Sequence, residues 1–309
     1  VPVAGESIGV YVCTYRRNEL LSRLLDSLAV AAERVAERAT VGVVVVDDND
    51  DGRARVVADA FRHRFPGGLR YRHTGSGNIA VARNAGLEAA IEGTDWVAMT
   101  DDDAVVPPDW FVNLLRVQAE TGADAVTGST LLRFPEDSPR WLTEQPFSQI
   151  GLLAYPDRAE VAVCSTCNSM LRSSFLRDRP GLRFDPALGR LGGEDGVFYR
   201  AAAAAGLRAV YAAEVVVWGE EPAERATFGY QLSRALWLGN SEAIVNHRSG
   251  AASRPRLVAR GGRRMARAVI RPVRRVASGR PPQLRYTAAE VAQWTGMLLG
   301  AAGVELRHR

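Results

Sequence analysis

The chain contains no lysine; all 39 of its basic residues are arginine, which reads as compositional bias rather than chemistry. Its three cysteines, Cys13, Cys164 and Cys167, are odd in number, give no disulfide framework and suit a reducing cytoplasm. Cys164-Ser165-Thr166-Cys167 is a single Cys-x-x-Cys without a second pair or nearby histidines, so it makes a poor zinc site and reads as structural. No apolar run reaches the roughly 18 residues of a membrane span, and no charged-then-apolar leader opens the sequence. Gly-x-Gly-x-x-Gly and Walker-type phosphate loops are absent, which removes the fingerprints of dinucleotide oxidoreductases and P-loop NTPases.

What is present is a chain of 309 residues, 47% hydrophobic and 24% charged, able to bury the core of a large α/β domain with or without an appendage. The formal charge of +4 hides an asymmetry. Residues 251–285 hold 11 arginines and no carboxylate, leaving 28 basic against 35 acidic residues elsewhere, a formal −7. A mildly acidic body with a basic tail assigns any anionic surface to the tail. We therefore expect a main domain over 1–248 and a basic extension over 249–309.

Wholly apolar strands alternate with amphipathic helices. Ile8 to Cys13 reads as a strand ending in Thr14-Tyr15-Arg16-Arg17, and leucines at 20, 21, 24, 25 and 28 mark the helix after it. Val41 to Val46 ends in Asp47-Asp48, Leu69 to His73 is a third strand, and Asn78 opens a helix through Arg83 and Leu87. Trp96 to Thr100 is a fourth strand, ending in Asp101-Asp102-Asp103. Pro107 and Pro108 then bar further strand, and Asp109 is positioned to cap a helix from Trp110. The pattern predicts a parallel sheet covered on both faces, with ligands beyond the carboxyl ends of its strands. Three carboxylates at such an end repel one another unless a cation or donor groups share them. Oxygen-only ligands suit Mg2+ or Mn2+; a solvated acidic turn is the alternative.

Further on, Ala123 to Leu132 and Val161 to Leu171 read as strands, and Phe134 to Pro156 as a long loop of the kind that often covers a site. Leu191-Gly192-Gly193-Glu194-Asp195-Gly196 runs into an alanine-rich helix closed by Gly206. Glu194 and Asp195 there are either favourable charges at a helix N-terminus or a carboxylate base on a rigid element.

Val12 to Arg17, Val45 to Asp50, Asn78 to Asn84, Thr100 to Trp110 and Gly192 to Asp195 together resemble the family 2 glycosyltransferases. They stand in that family's order over roughly residues 8–240, and Glu220 to Arg225 with Arg234 and Gly239 is similar to its bacterial exopolysaccharide branch. The resemblance implies a GT-A (nucleotide-diphospho-sugar transferase) fold: a Rossmann-like, mostly parallel sheet with helices on both faces, here with a helical C-terminal extension. It implies an inverting transfer of sugar from a nucleotide donor, most often a UDP-sugar, to an acceptor hydroxyl, assisted by Mn2+ or Mg2+. By motif, Thr14, Tyr15, Arg17, Asp47, Asp48, Arg83, Asp101 and Asp102 take the nucleotide, Asp103 or Asp102 the metal, and Asn168 and Arg172 the donor-sugar or acceptor side. Asp195 matches the family's catalytic base, with Glu194 orienting the site. One departure stands out: where many members carry a metal-binding histidine, this chain has Trp218-Gly219-Glu220. Glu220 or water then completes the metal shell, or metal binding is weaker.

In the basic tail, Leu257, Val258, Met265, Val269, Val273 and Val276 fall near helical spacing, with Pro272 expected to kink the helix. Peripheral contact with the anionic inner face of a membrane through 251–285 and simple packing on the catalytic region are both open. Nucleic acid is not expected, because no aromatics interleave the arginines. The acceptor class spans carbohydrate, lipid-linked and natural-product hydroxyls. The alternatives to a glycosyltransferase are a sugar-nucleotidyltransferase, whose glycine-rich N-terminal loop is missing, and a non-catalytic, membrane-associated nucleotide-sugar-binding protein.

Overall fold

The apolar runs near the N-terminus form neighbouring parallel strands in the computed structural model, which describes residues 5–149 and 155–306. The first half of the chain gives β1 (Glu6–Thr14), α1 (Asn18–Val35), β2 (Ala39–Asp47), α2 (Arg55–Phe61), β3 (Leu69–His73), α3 (Ile79–Ala90), β4 (Trp96–Thr100), β5 (Ala104–Val105) and α4 (Trp110–Thr121). The second half gives β6 (Ala125–Arg133), α5 (Arg140–Thr143), β7 (Asn168–Arg172), α6 (Ser173–Arg177), α7 (Glu194–Ala204), β8 (Ala209–Glu220), α8 (Phe228–Arg248), α9 (Arg254–Ala277) and α10 (Leu284–Ala301). Eight strands form one mixed sheet in the order β3-β2-β1-β4-β7-β6-β8-β5. The pairs β1/β2, β1/β4 and β2/β3 are parallel, whereas β4/β7, β6/β7 and β5/β8 are antiparallel.

Strand periodicity sorts the core into two layers. Ile8, Val10, Val12, Val41, Val43, Val45, Trp96 and Ala98 pack with the apolar faces of α1, α2 and α4. The alternate residues Tyr11, Val44, Val46, Val97 and Met99 pack with α3, α6 and α7 on the other face. Both faces are thus covered, which is why these strands carry almost no polar side chain before their carboxyl ends.

The chain falls into two compact units. The first comprises Val1–Leu131, Leu153–Gly189 and Glu194–Glu220; the second comprises Leu132–Leu152, Arg190–Gly193 and Glu221–Arg309. Within the second, α8 and α10 approach so closely that a Cβ on Gly239 would lie 1.7 Å from the Gln293 carbonyl oxygen, and one on Gly296 would lie 1.8 Å from that of Leu236. Only glycine fits either position.

Three local expectations need correction. The strand expected over Val161 to Leu171 is confined to β7, and Cys164 to Cys167 lie in the loop before it. Asp109 stands at the N-cap of α4, yet its side chain makes no capping bond and instead pairs with Arg34 at 3.1 Å. The segment from Phe134 is more than a covering loop. Leu142 and Phe147 from it form a small core with Ala226, Ala235 and Ala289 of the second unit; residues 150–154 of the segment lie outside the described residues.

Candidate active site

The parallel register delivers strand ends to one edge of the sheet. Thr14 stands beside Asp47 at the ends of β1 and β2, and the acidic triplet follows the last residue of β4. Open α/β sheets bind ligands at this edge.

Asp102 is almost fully buried there. Its Oδ2 accepts the Thr14 hydroxyl at 2.8 Å and its Oδ1 accepts Arg17 Nη1 at 2.9 Å. The same Arg17 nitrogen donates to Asp103 Oδ2 at 2.8 Å. Burial raises the Asp102 carboxyl above its ordinary value, while Arg17 and Thr14 pull the other way. Burial would lower Arg17, but Asp102 and Asp103 outweigh it and hold the guanidinium charged. Two carboxylate oxygens therefore converge on one cationic nitrogen.

Arg83 is the second hub. Asn78 caps α3 by accepting the N–H groups of Ala80 and Val81, and Arg83 projects from the second turn of that helix. Its guanidinium pairs with Glu194 in the first turn of α7 and reaches Asp101 Oδ1 at 3.4 Å. Arg83 and Glu194 are only 8% and 4% exposed, so each charge depends on the other for its stability. Burial raises Glu194 despite Arg83; burial also acts to lower Arg83, but Glu194 and Asp101 keep it well above its ordinary value. Asp195, next on α7, is half-buried, and its Oδ1 accepts the Gly196 N–H at 2.7 Å. Gly192 and Gly193 just before it have φ of 82° and 85°, a backbone that L side chains rarely adopt.

Asp47 and Asp48 differ sharply. Asp47 is fully buried: Oδ1 accepts Asn49 N and Nδ2, and Oδ2 accepts Ala54 N and the Tyr71 hydroxyl. It organises the loop after β2. Asp48 takes its donors from the loop after β3, with Thr74 Oγ1, Ser76 N and Ser76 Oγ on Oδ1 and Asn78 N on Oδ2. The Asp48 N–H donates to the Thr14 carbonyl at 3.0 Å. Tyr15 is exposed, with the Arg16 guanidinium 5.0 Å from its ring centroid.

Thr14, Arg17, Asp48, Arg83, Asp101, Asp102, Asp103 and Glu194 are thus linked by direct contacts at one edge. Two expected residues are not open to a ligand there: Asn168 stands at this edge, in register with Thr100, but is closed off, and Arg172 is carried away from it. Asn168 is fully buried; its amide donates to the Ser129 and Val215 carbonyls and accepts Trp110 Nε1, which locks strands together and leaves nothing for a ligand. Arg172 pairs in register with Trp96, at the start of β4, because β7 runs antiparallel to it. That is the opposite end of the strand from the triplet, and Arg172 there stacks on Trp96 at 4.5 Å. Sequence order could not reveal either placement without the antiparallel register.

The same register accounts for a residue that was missed. β7 sets Asn168 against Thr100, so Cys167 Sγ meets Asp101 Oδ2 at 2.6 Å. Burial, reinforced by Asp101, pushes the Cys167 thiol well up, so it stays protonated and donates. Cys164, raised by burial to about 12, is a core thiol.

Asp102 and Asp103 are the pair able to share a metal. Among the described residues no group of three or more His, Cys, Asp or Glu side chains is arranged to hold one. Two carboxylates nonetheless match the way Mg2+ is commonly held, with substrate phosphates and water filling the remaining positions. Glu220 lies beside the triplet, its N–H on the Asp103 carbonyl at 2.8 Å, but its carboxylate is taken by Arg23 at 2.7 Å.

Comparison with known proteins adds the following. The family described as Glycosyl transferase family 2 matches residues 9–179. Succinoglycan biosynthesis protein ExoM of Rhizobium meliloti (strain 1021) is 33% identical over 237 residues, 76% of this chain and 73% of that protein. The mannosyltransferase PcManGT from Pyrobaculum calidifontis, solved with GDP-Man and Mn2+, gives a TM-score of 0.62 at 18% identity, over 97% of this chain and 88% of that one. S. aureus TarS 1-349, solved with UDP-GlcNAc, gives 0.54 at 15% identity, over 97% and 93%. In a longer TarS chain the match spans 39% of that chain. At such identities the structural likeness speaks for the fold, and that fold is GT-A.

Proposed function

The chain belongs to glycosyl transferase family 2, and on that premise we propose that it transfers a sugar from a nucleotide-diphospho-sugar, a UDP-sugar by preference, to an acceptor hydroxyl with inversion. The observation that carries this reading is the buried Arg83, which ties Glu194 on α7 to Asp101 at the strand edge. One arginine links a carboxylate pair suited to proton transfer with an acidic edge suited to a nucleoside diphosphate. The catalytic region is assigned to 1–248, with 249–309 as a helical extension.

The roles follow from the surroundings of each residue. Glu194 is buried and neutralised by Arg83, which makes it a positioning group. Asp195 is half-buried on the same rigid turn and is the carboxylate able to take the acceptor proton. Thr14, Tyr15, Arg17 and Asp48 lie on the nucleotide side, with Asp47 shaping the loop behind them. Arg83 and Asp101 sit between the two halves. The acceptor oxygen, giving its proton to Asp195 and attacking in line from the face opposite the departing nucleotide, inverts the anomeric carbon as the bond to the diphosphate breaks, by the geometry of inverting glycoside hydrolysis. Asp102 and Asp103 would hold Mn2+ or Mg2+, which supplies charge neutralisation for the departing diphosphate. The neighbours solved with UDP-GlcNAc and with GDP-Man and Mn2+ support a nucleotide-sugar donor and a divalent ion. The relative named for succinoglycan biosynthesis favours a carbohydrate acceptor.

Asp195→Asn tests the reading. Transfer from a UDP-sugar should fall to background while UDP affinity by calorimetry stays near wild type. Retention of wild-type transfer by this variant would refute the assignment of the base.

A further inference from the structure

Helix α9 carries a surface that neither its packing nor the donor site uses. Its inner face buries Leu257, Gly261 and Ala268, and Leu257 joins Met297 and Ala301 of α10 in one apolar cluster. Arg264 lies 5.5 Å from the Trp294 ring, and Arg271 lies 4.5 Å from the Tyr286 ring and pairs with Glu290. These contacts account for how the helix is held.

They leave an aliphatic stripe outside. Val258, Val269, Ile270, Val273 and Val276 are 47% to 69% exposed, and they are five of the eleven exposed large hydrophobics among the described residues. Such residues are ordinarily scattered singly, so this concentration marks a surface with a partner. Val258, Val269, Val273 and Val276 recur at intervals of eleven, four and three residues, which keeps them on one side of a 3.6-residue helix. The stripe runs about 27 Å, at 1.5 Å per residue. The helix continues through Pro272, so the expected kink does not interrupt it.

Charge identifies the partner. Arg256, Arg260, Arg263, Arg267 and Arg274 are exposed on the same helix, and no carboxylate lies between Arg254 and Ala277. The carboxylates that face α9 from its neighbours are Glu242 of α8, 3.7 Å from Arg260, and Glu290 of α10, paired with Arg271. A helix with aliphatic side chains on one face and only arginine on the other matches the interface of an anionic bilayer, where the apolar face sinks among acyl chains and the guanidinium groups meet phosphates. A protein partner would have to offer an apolar groove rimmed by acid along five turns; a bilayer offers both chemistries everywhere. No helix among the described residues is long and apolar enough to cross a membrane.

We propose that α9 docks this protein flat on an anionic lipid bilayer through Val258, Val269, Ile270, Val273 and Val276, with its outer arginines on lipid phosphates. This inference does not depend on the assignment of the donor site. Flotation of the full chain with vesicles tests it, using phosphatidylcholine alone and phosphatidylcholine with one-third phosphatidylglycerol. Wild type should float with the anionic vesicles, weaken in high salt, and stay in solution with the neutral ones. Val269→Gln combined with Val273→Gln should lower partitioning at least tenfold. Arg267→Gln combined with Arg274→Gln should lower it about 30-fold, on the anionic vesicles alone. The altered side chains are exposed, so circular dichroism and thermal midpoint should match wild type in both variants. Equal binding to both vesicle types, or anionic binding untouched by the valine pair, would overturn the proposal. So would sedimentation that revealed a stripe-dependent dimer without vesicle binding, since the occupant would then be a second copy.

Discussion

Arg17 gives the sharpest test of the acidic edge. Its Nη1 lies 2.9 Å from Asp102 and 2.8 Å from Asp103, and the three side chains are 32%, 6% and 22% exposed. Arg17→Met keeps the aliphatic stem and removes the charge, leaving a buried carboxylate against its neighbour. Breaking a buried pair in this way costs about 3–5 kcal/mol. Arg17 is a third exposed, and the Thr14 hydroxyl still serves Asp102 in the variant. The expected loss is therefore about 2–3 kcal/mol, read from urea unfolding without metal or nucleotide. Because Arg17 stands where both oxygens point, wild type must give up this contact before a divalent ion can enter; the variant need not. Mn2+ should then stabilise Arg17→Met by about 2.7 kcal/mol at 100 times the variant's dissociation constant, and wild type by less at the same concentration. Titration calorimetry of Mn2+ alone should give the tighter binding in the variant. Equal stability of the two proteins in the absence of metal, or equal stabilisation of both by Mn2+, would refute the reasoning.

Three other outcomes are expected. Arg83→Met should cost about 3–5 kcal/mol, because Glu194 is left buried without its partner, and Arg83→Met with Glu194→Gln should recover much of that loss in the same unfolding assay. Gly193→Ala should lose about 2–3 kcal/mol and much of its transfer rate, since φ is 85° and the new Cβ would lie 2.3 Å from Val245 Cγ2. Glu214 is held at about 2, chiefly by hydrogen bonds from Arg158, with Arg116 assisting. Its stabilisation is present above the ordinary carboxylate value and is lost as pH falls through about 2. Glu214→Gln should thus be less stable by about 1–2 kcal/mol at neutral pH after solvent screening, with the difference closing near pH 2 in a pH series of denaturation curves.

The parallel half of the fold was legible because burial on both faces forces continuous apolar runs, and such runs announce their own ends. Leu69 to His73 and Trp96 to Thr100 have in the structure the bounds their sequence suggests. The antiparallel half was not legible. β7 is five residues long, and nothing in Asn168-Ser169-Met170-Leu171-Arg172 states which way it runs or against which strand. That one register decides that Asn168 is a clamp, that Arg172 lies at the far end, and that Cys167 reaches Asp101. Asp47 and Asp48 are adjacent in sequence and chemically alike, yet strand alternation sends one into a closed loop and the other towards Thr74 and Ser76. Residue type marked the edge; register decided which carboxylates remain for a ligand.

The arginines that meet this edge come from helices, and the carboxylates come mostly from strand ends. Arg17 and Arg23 lie just before and within α1, and Arg83 lies in α3. Between them they hold Asp102 and Asp103, Glu220, and Asp101 with Glu194. The ligand-free edge thus sets three arginines against five carboxylates and stays net negative. A nucleoside diphosphate brought alone would place two more negative charges among these carboxylates and gain little. A divalent cation held by Asp102 and Asp103 would compete with Arg17 for these carboxylates and would leave its guanidinium available to phosphate oxygens. Arg83 cannot make the same exchange, since leaving Glu194 would strand a buried charge. In the proposed reaction Arg17 would then be the mobile cation and Arg83 the fixed one, holding Glu194, the residue next to the proposed base Asp195.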